Sequence, residues 1–223
     1  MTVAAAQEPL FSIYDQSSAP SIALLYIGVQ ASQDIAENSG GYSRTFMTGN
    51  RAKKPHFAIR EATEADLPVL VEFLIKLALH VADSGPQKLK RKEYQRLMGV
   101  LRAALEDESK RLFVADSPEA GLVGMGYVYV YRSQGIWEQV DPEEYRTGVI
   151  DDVWVEPEYR GLGIFKALLK RLVAFAEAHH AHDLILEYSA TNRQARAVWT
   201  RLGFKTTGVH AAARTSAVKA ALE

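Results

Sequence analysis

The chain has 223 residues, of which 48% are hydrophobic and 24% charged, with a formal net charge of −1. This is ordinary soluble globular composition, and the charge balance argues against broad nucleic-acid binding. Cysteine is absent, which excludes disulfides, thiolate metal sites and a covalent cysteine nucleophile in this sequence, and fits a cytoplasmic protein.

Residues 1–55 read as a weakly structured N-terminal extension, rich in Ser, Ala and Gly, with an arm packed on a partner subunit as the alternative. The apolar run Ile22–Val29 spans 8 residues, too few for a membrane helix, which needs roughly 20. Only Arg44 is basic within residues 1–50, so neither a signal peptide nor a basic presequence is expected.

Residues 56–223 read as one domain. Phe57-Ala58-Ile59-Arg60 alternates like a strand. Thr63 to Asp66 supplies capping side chains, and Leu67, Leu70, Val71, Leu74, Leu77, Ala78 and Val81 then fall on one helical face. Asp83-Ser84-Gly85-Pro86 breaks that helix. A second helix carries Tyr94, Leu97, Met98, Leu101, Ala104 and Leu105 on one side. Arg111–Ala115 and Gly121–Tyr131 read as strands joined at Ser117-Pro118. Residues 132–148 form a loop in which Trp137 and Tyr145 stand among Glu138, Asp141, Glu143 and Glu144; such a lid would suit a cationic ligand. The strand Val149–Val155 follows, then a helix from Ile164 to His179 with Phe165, Leu168, Leu169, Leu172, Phe175 and Ala176 inward. A strand Leu184–Tyr188 and a helix Asn192–Leu202 complete the pattern. Lys205–Val209 can form a strand, whereas the Ala-rich stretch from Ala211 to Glu223 favours a helix or frays. His179, His180, His182 and Asp183 offer metal-ligand atoms, but they crowd a helix end where the dipole favours histidine, so no metal is expected.

The most informative stretch is Val155-Glu156-Pro157-Glu158-Tyr159-Arg160-Gly161-Leu162-Gly163-Ile164. A strand ends, the chain turns through Arg-Gly-x-Gly, and a helix begins. Backbone N–H groups at a helix start, with no Cβ at two positions, favour phosphate oxygens. A dinucleotide fingerprint would need glycine where Lys166 stands, and no Gly-x-x-x-x-Gly-Lys loop occurs.

Val-x-Pro-x-x-Arg-Gly-x-Gly resembles the pyrophosphate-binding turn of the GNAT superfamily of acyl-CoA-dependent N-acetyltransferases. Asn192-x-x-Ala195-x-x-x-Trp199-x-x-x-Gly203-Phe204 is similar to that family's last helix and its Gly-Phe exit. The resemblance, which runs from His56 to about Val209, implies an α+β fold. Its central mixed sheet would have about 6–7 strands, flanked by about 4 helices. It implies acetyl-CoA as cosubstrate and an amine as acceptor, without metal; dimers are frequent in the family. The pantetheine arm would lie along Val153, Trp154 and Val155, with the N–H near Val153 polarising the thioester carbonyl. The pyrophosphate would sit on Arg160, Gly161, Leu162, Gly163, Ile164 and Phe165. Asn192 would hold the arm from the other side. Phe165 stands where the family usually has Gly or Ala, and Trp199 where many members place a tyrosine that protonates the leaving thiolate. An indole is not a useful proton donor, so Trp199 would line the acyl-CoA tunnel. Tyr188 and Tyr127 are the alternative acids.

An attacking amine must be neutral, which calls for a base or a water relay. Asp151 and Asp152 stand just upstream of the turn, a pair also similar to that of polyamine-type GNAT members. Strand alternation would let only one of them face the substrate; Asp151 is preferred and Glu187 is a third candidate. The expected reaction is acetyl transfer to a primary amine, with a small cationic acceptor favoured. A protein lysine or N-terminal acetyltransferase and a non-catalytic acyl-CoA-binding module are the alternatives.

Overall fold

A computed structural model describes residues 56–81, 89–133, 144–208, 213 and 215–222. The N-terminal extension, the breaker after the first helix, and Trp137, Glu138, Asp141 and Glu143 of the acidic loop lie outside the described residues.

Strand β1 (Ala58–Glu61) leads through a 3-10 turn (Glu64–Asp66) into α1 (Leu67–Val81) and then α2 (Arg91–Glu106). The start of α1 is tied by a reciprocal cap. The Thr63 N–H donates to Asp66 Oδ2 at 2.7 Å, and the Asp66 N–H returns to the Thr63 carbonyl at 3.0 Å. Arg60 grips Asp66 with two N–H groups at 2.7 and 2.9 Å and reaches Asp116 at 2.9 Å, so β1, α1 and the second strand share one ionic knot.

Three long strands follow: β2 (Lys110–Ser117), β3 (Gly121–Arg132) and β4 (Arg146–Val155). Helix α3 (Ile164–Ala178) carries the chain over the sheet to β5 (Asp183–Ile185), and α4 (Arg193–Arg201) and α5 (Thr215–Leu222) end the described chain. The sheet order is β1-β2-β3-β4-β5, with antiparallel neighbours except the parallel pair β4–β5.

The sheet has a core on each face because its strands alternate. On β2, Leu112 and Val114 join Leu67, Leu70 and Leu101 beneath α1 and α2. Phe113 and Ala115 join Ile164, Leu168 and Leu172 beneath α3. Helix α3 lies close to the sheet: a Cβ on Gly126 would come within 3.0 Å of Leu172 Cδ1. Glycine at that position sets the spacing between the sheet and the helix that begins at the turn.

The mixed α+β architecture is the expected one, with two differences. The sheet has five strands among the described residues, not six or seven. Residues 204–208 pair with no strand among the described residues, and Thr215–Leu222 is helical, as its alanines favour. Strand β5 is also three residues long rather than the five of Leu184–Tyr188, because its ladder to β4 stops at Val149 opposite Ile185. Just beyond that point β4 is irregular, and the two strands part. Among the described residues no helix is long and apolar enough to cross a membrane.

Candidate active site

The site is built where β4 and β5 separate. The Glu156 N–H donates to the Val123 carbonyl at 2.9 Å, which turns that residue's backbone toward β3. By alternation Val155 and Val153 direct their backbone groups to the opposite edge, the one β5 has left. Arg160 Nε occupies the Val155 carbonyl at 3.0 Å. The N–H of Val155 and both backbone groups of Val153 therefore face the wedge.

The turn closes this wedge at one end. A short 3-10 turn over Pro157–Tyr159 is fastened by the Tyr159 N–H on the Glu156 carbonyl at 2.9 Å. The Arg160 N–H donates to the Pro157 carbonyl at 3.3 Å. Arg160 thus spends its own N–H inside the turn, and the N–H cradle starts at Gly161 rather than at Arg160. Gly161 and Gly163 have φ of +77° and +90°, a region in which an L side chain is strained. A Cβ at either would meet nothing within 4 Å, so the ground above the turn is open. The first turn of α3 has no intrahelical acceptors for its leading N–H groups, and the helix dipole points at the same ground. Leu162 is 43% exposed, whereas Ile164 is buried and anchors the turn to the core. The guanidinium of Arg160 lies 5.0 Å from the centre of the Trp154 ring, which holds its charge beside the turn.

Phe165 does not crowd this ground. Its ring turns inward and meets Trp199 edge-on at 5.5 Å, and Trp199 meets Phe204 at 5.4 Å. Trp199 is 8% exposed and fastens α4 to the core. Asn192 caps α4: its Oδ1 accepts from the Ala195 N–H at 2.9 Å.

The acids are placed differently from the alternation expected of a regular strand. Gly126 pairs with Val153 and Val128 with Ile150, so Asp151 and Asp152 together oppose the single residue Tyr127. This is a β-bulge in β4. Val149 and Trp154 both belong to the core beneath α1 and α2, while Ile150 and Val155 belong to the core beneath α3. Counting inward from both sides, the extra residue puts Asp151 and Asp152 on the same face, with Tyr127. Burial first, and then the charge of Asp151, raises the Tyr127 pKa, so its hydroxyl holds its proton more tightly than a free tyrosine. Asp152 is 1% exposed, and burial followed by the charge of Asp151 pushes its carboxyl well above the usual range. Asp151 is half-buried.

Tyr188 packs into the core beneath α3, on the other side of the sheet, and Glu187 is exposed past the end of β5. The histidines are dispersed. His179 bonds the Phe175 carbonyl through Nδ1 at 2.9 Å. His182 accepts the Arg146 N–H on Nδ1 at 3.2 Å and stacks on Tyr145 at 4.6 Å. Glu144 pairs with Arg146 at 2.8 Å. Sequence reading missed His80, whose ring meets Trp154 edge-on at 6.0 Å, and the Lys76–Glu156 ion pair that ties α1 to the end of β4. Both contacts join residues far apart in the chain, and helical periodicity carries no signal for them.

The family model for the acetyltransferase (GNAT) family matches residues 76–204, more than half of the chain and all of the site described above. The chain belongs to the GNAT family. A streptothricin acetyltransferase of Streptomyces lavendulae is 32% identical over 107 residues, which are 48% of this chain and 51% of that protein. The chain therefore spans about half the length of that curated relative. Among solved structures, a transcriptional regulator from Bacillus halodurans superposes with a TM-score of 0.57 at 24% identity, covering 71% of this chain and 99% of that one. A predicted acetyltransferase from Clostridium acetobutylicum, solved with acetyl-CoA, gives 0.57 at 21% identity over 71% and 96% of the two chains. A glucosamine-6-phosphate N-acetyltransferase from Arabidopsis thaliana gives 0.53 at 16% identity over 72% and 99%. At these identities the structures establish the GNAT fold.

Proposed function

We propose that this chain transfers an acetyl group from acetyl-CoA to the primary amine of a small cationic acceptor. The observation that carries the reading is the wedge between β4 and β5, which opens beside a glycine turn at the N-terminus of α3. An extended amide-bearing arm ending in a pyrophosphate fits it. The arm's amides would pair with Val153 and Val155 as an added strand. The pyrophosphate would rest on N–H groups from Gly161 to Phe165, with Arg160 alongside. The side-chain N–H groups of Asn192 would reach the arm from α4, with Trp199 behind them.

The acid pair lies on the opposite face of the sheet from α3, so cosubstrate and acceptor would enter from different sides of β4. Negative charge at the bulge favours an ammonium and can take its proton. In the reaction the amine nitrogen bonds to the acetyl carbon and the carbon–sulfur bond breaks. One ammonium proton goes to the carboxylate, and a second passes to solvent water as the amide forms, while sulfur leaves as thiolate or takes up a proton from that solvent. The streptothricin acetyltransferase likeness agrees with a small amine-bearing acceptor.

The test is thiol release from acetyl-CoA across a panel of small amines and peptides, run beside calorimetric binding of coenzyme A. Release that depends on a small cationic amine supports the proposal. Release only with peptides moves the reading to a protein acetyltransferase. Tight binding with no release over the whole panel moves it to a non-catalytic binding module, for which the buried indole of Trp199, in place of an exposed phenol, would be the structural reason.

A further inference from the structure

We infer that Asp152 stays neutral in the folded protein, so that Asp151 alone brings negative charge to the acceptor. The catalytic consequence rests on the acetyl-transfer reading; the assignment of the charge does not.

The argument begins with the bulge. A regular strand would send one acid to each side of the sheet, where each could find its own solvent or partner. The bulge in β4 turns both to the face of α1 and α2, opposite Tyr127 alone. Asp151 keeps some exposure, while Asp152 is 1% exposed and its Oδ2 is buried without a hydrogen-bond partner. Two positions on, Trp154 shares this face, and its indole nitrogen is likewise buried without a partner. The surroundings of Asp152 are thus aromatic and shut off from bulk solvent.

The groups that bear on it can be named from each element. Asp151 acts from β4 itself and has the same sign. From β3, Tyr127 offers a neutral phenol. Asp107, just after α2, is a further acid whose charge reaches Tyr127. From α1, His80 stands against the Trp154 ring. Among the described residues, the charge that acts appreciably on Asp152 is that of Asp151, and it repels. A carboxylate with a desolvated, unbonded oxygen beside a second acid costs more than the proton that neutralises it.

The consequence is a division of labour. When an acceptor ammonium approaches, its N–H bond breaks and an O–H bond forms on Asp151. Asp152 holds its own proton throughout, so the pair passes from one negative charge to none in a single transfer. Such a pair matches one ammonium group at the reacting position. Two ionised acids would leave a negative charge at the buried position after every transfer.

The test reads the charge directly. Carboxyl-carbon NMR of the full chain, with aspartate labelled and signals assigned by Asp151→Asn and Asp152→Asn, is followed from about pH 5 to about pH 8. Asp152 is expected to give the protonated resonance at neutral pH, and an ionised resonance there would overturn the inference. Stability supplies a second readout. In the unfolded chain Asp152 ionises near the ordinary aspartate value of 3.8, whereas in the fold burial and the Asp151 charge raise its pKa well above that. The unfolded state then binds fewer protons, and the wild-type protein loses stability as pH rises above that value. The urea midpoint of Asp152→Asn should therefore rise relative to wild type, by a margin that widens with pH; a loss of equal size at every pH would refute the neutral acid. In kinetics Asp151→Asn should lose at least about tenfold more turnover than Asp152→Asn. Equal losses would overturn the division of labour. If no amine supports thiol release at all, the acetyl-transfer reading fails, while the NMR and denaturation arms still decide the charge.

Discussion

Helices α3 and α4 meet through Phe165 and Trp199, yet they are held in different ways. Helix α3 buries Ile164, Leu168, Leu172, Phe175 and Ala176, a full stripe against the sheet. Helix α4 buries Trp199 alone and otherwise rests on the Asn192 cap and the ring contacts to Phe165 and Phe204. The difference teaches how two neighbouring helices can be held unequally, one as part of the core and the other by one aromatic anchor. On the proposed function, the helix that carries the backbone N–H cradle is the one built into the core, and the helix that would close over the extended arm is the one held by the anchor. Beyond α4 the trend continues: α5 buries none of its residues, and Leu222 is 83% exposed.

The comparison can be broken by mutation. The largest stability effect is expected at Leu168, which is fully buried: Leu168→Ala should cost about 2–5 kcal/mol, measured by denaturant unfolding. Trp199→Ala should cost less than the about 3 kcal/mol at the low end for a buried aromatic, because α4 can open as a local unit. Hydrogen exchange should show α4 amides losing protection while those of α3 keep theirs; a loss shared equally by both helices would mean that they form one cooperative unit. Gly163→Ala forces an alanine into a φ of +90° and should cost about 1–2 kcal/mol. Coenzyme A binding should weaken as well, since the same residue lies within the proposed N–H cradle; unchanged calorimetric affinity would remove the turn from the proposed pyrophosphate site.

The smallest effect concerns the other face of the sheet, where the knot around Asp66 starts α1. Its carboxyl is lowered to about 2, first by the Arg60 hydrogen bonds and then, against the opposing effect of burial, by Thr63. With its folded pKa below the unfolded value of 3.8, the contribution is complete above that value and is lost as pH falls toward 2. Because Arg60 is partly exposed, Asp66→Asn should cost only about 1 kcal/mol at neutral pH. The difference between variant and wild type should vanish in strong acid.

Much of this molecule was legible in local pattern. Helix α1 buries Leu67, Leu70, Val71 and Leu74 as their spacing requires, and Leu168, Leu172, Phe175 and Ala176 do the same on α3. The turn from Val155 to Ile164 was legible because glycine, proline and arginine act there through their own backbones and charges. Phe73 escaped notice because it lies off the stripe defined by its neighbours, although it is 2% exposed. The short β5 and the unpaired stretch at 204–208 escaped because a strand exists only with a partner, and apolar alternation does not say whether one is present.

The acid pair marks the boundary most clearly. Two adjacent aspartates in an apolar strand already announced a special position, and the residue types alone determined that proton chemistry was available there. Which way the two side chains point was decided only by the pairing of β4 with β3. An extra residue opposite Tyr127 shifts the alternation by one, and that register depends on contacts between segments more than twenty residues apart in the chain. The helices and the glycine turn follow from interactions within a few residues of each other. The bulge, the parting of β4 from β5 and the burial of Asp152 follow from interactions across the sheet, and the chain must fold before they exist.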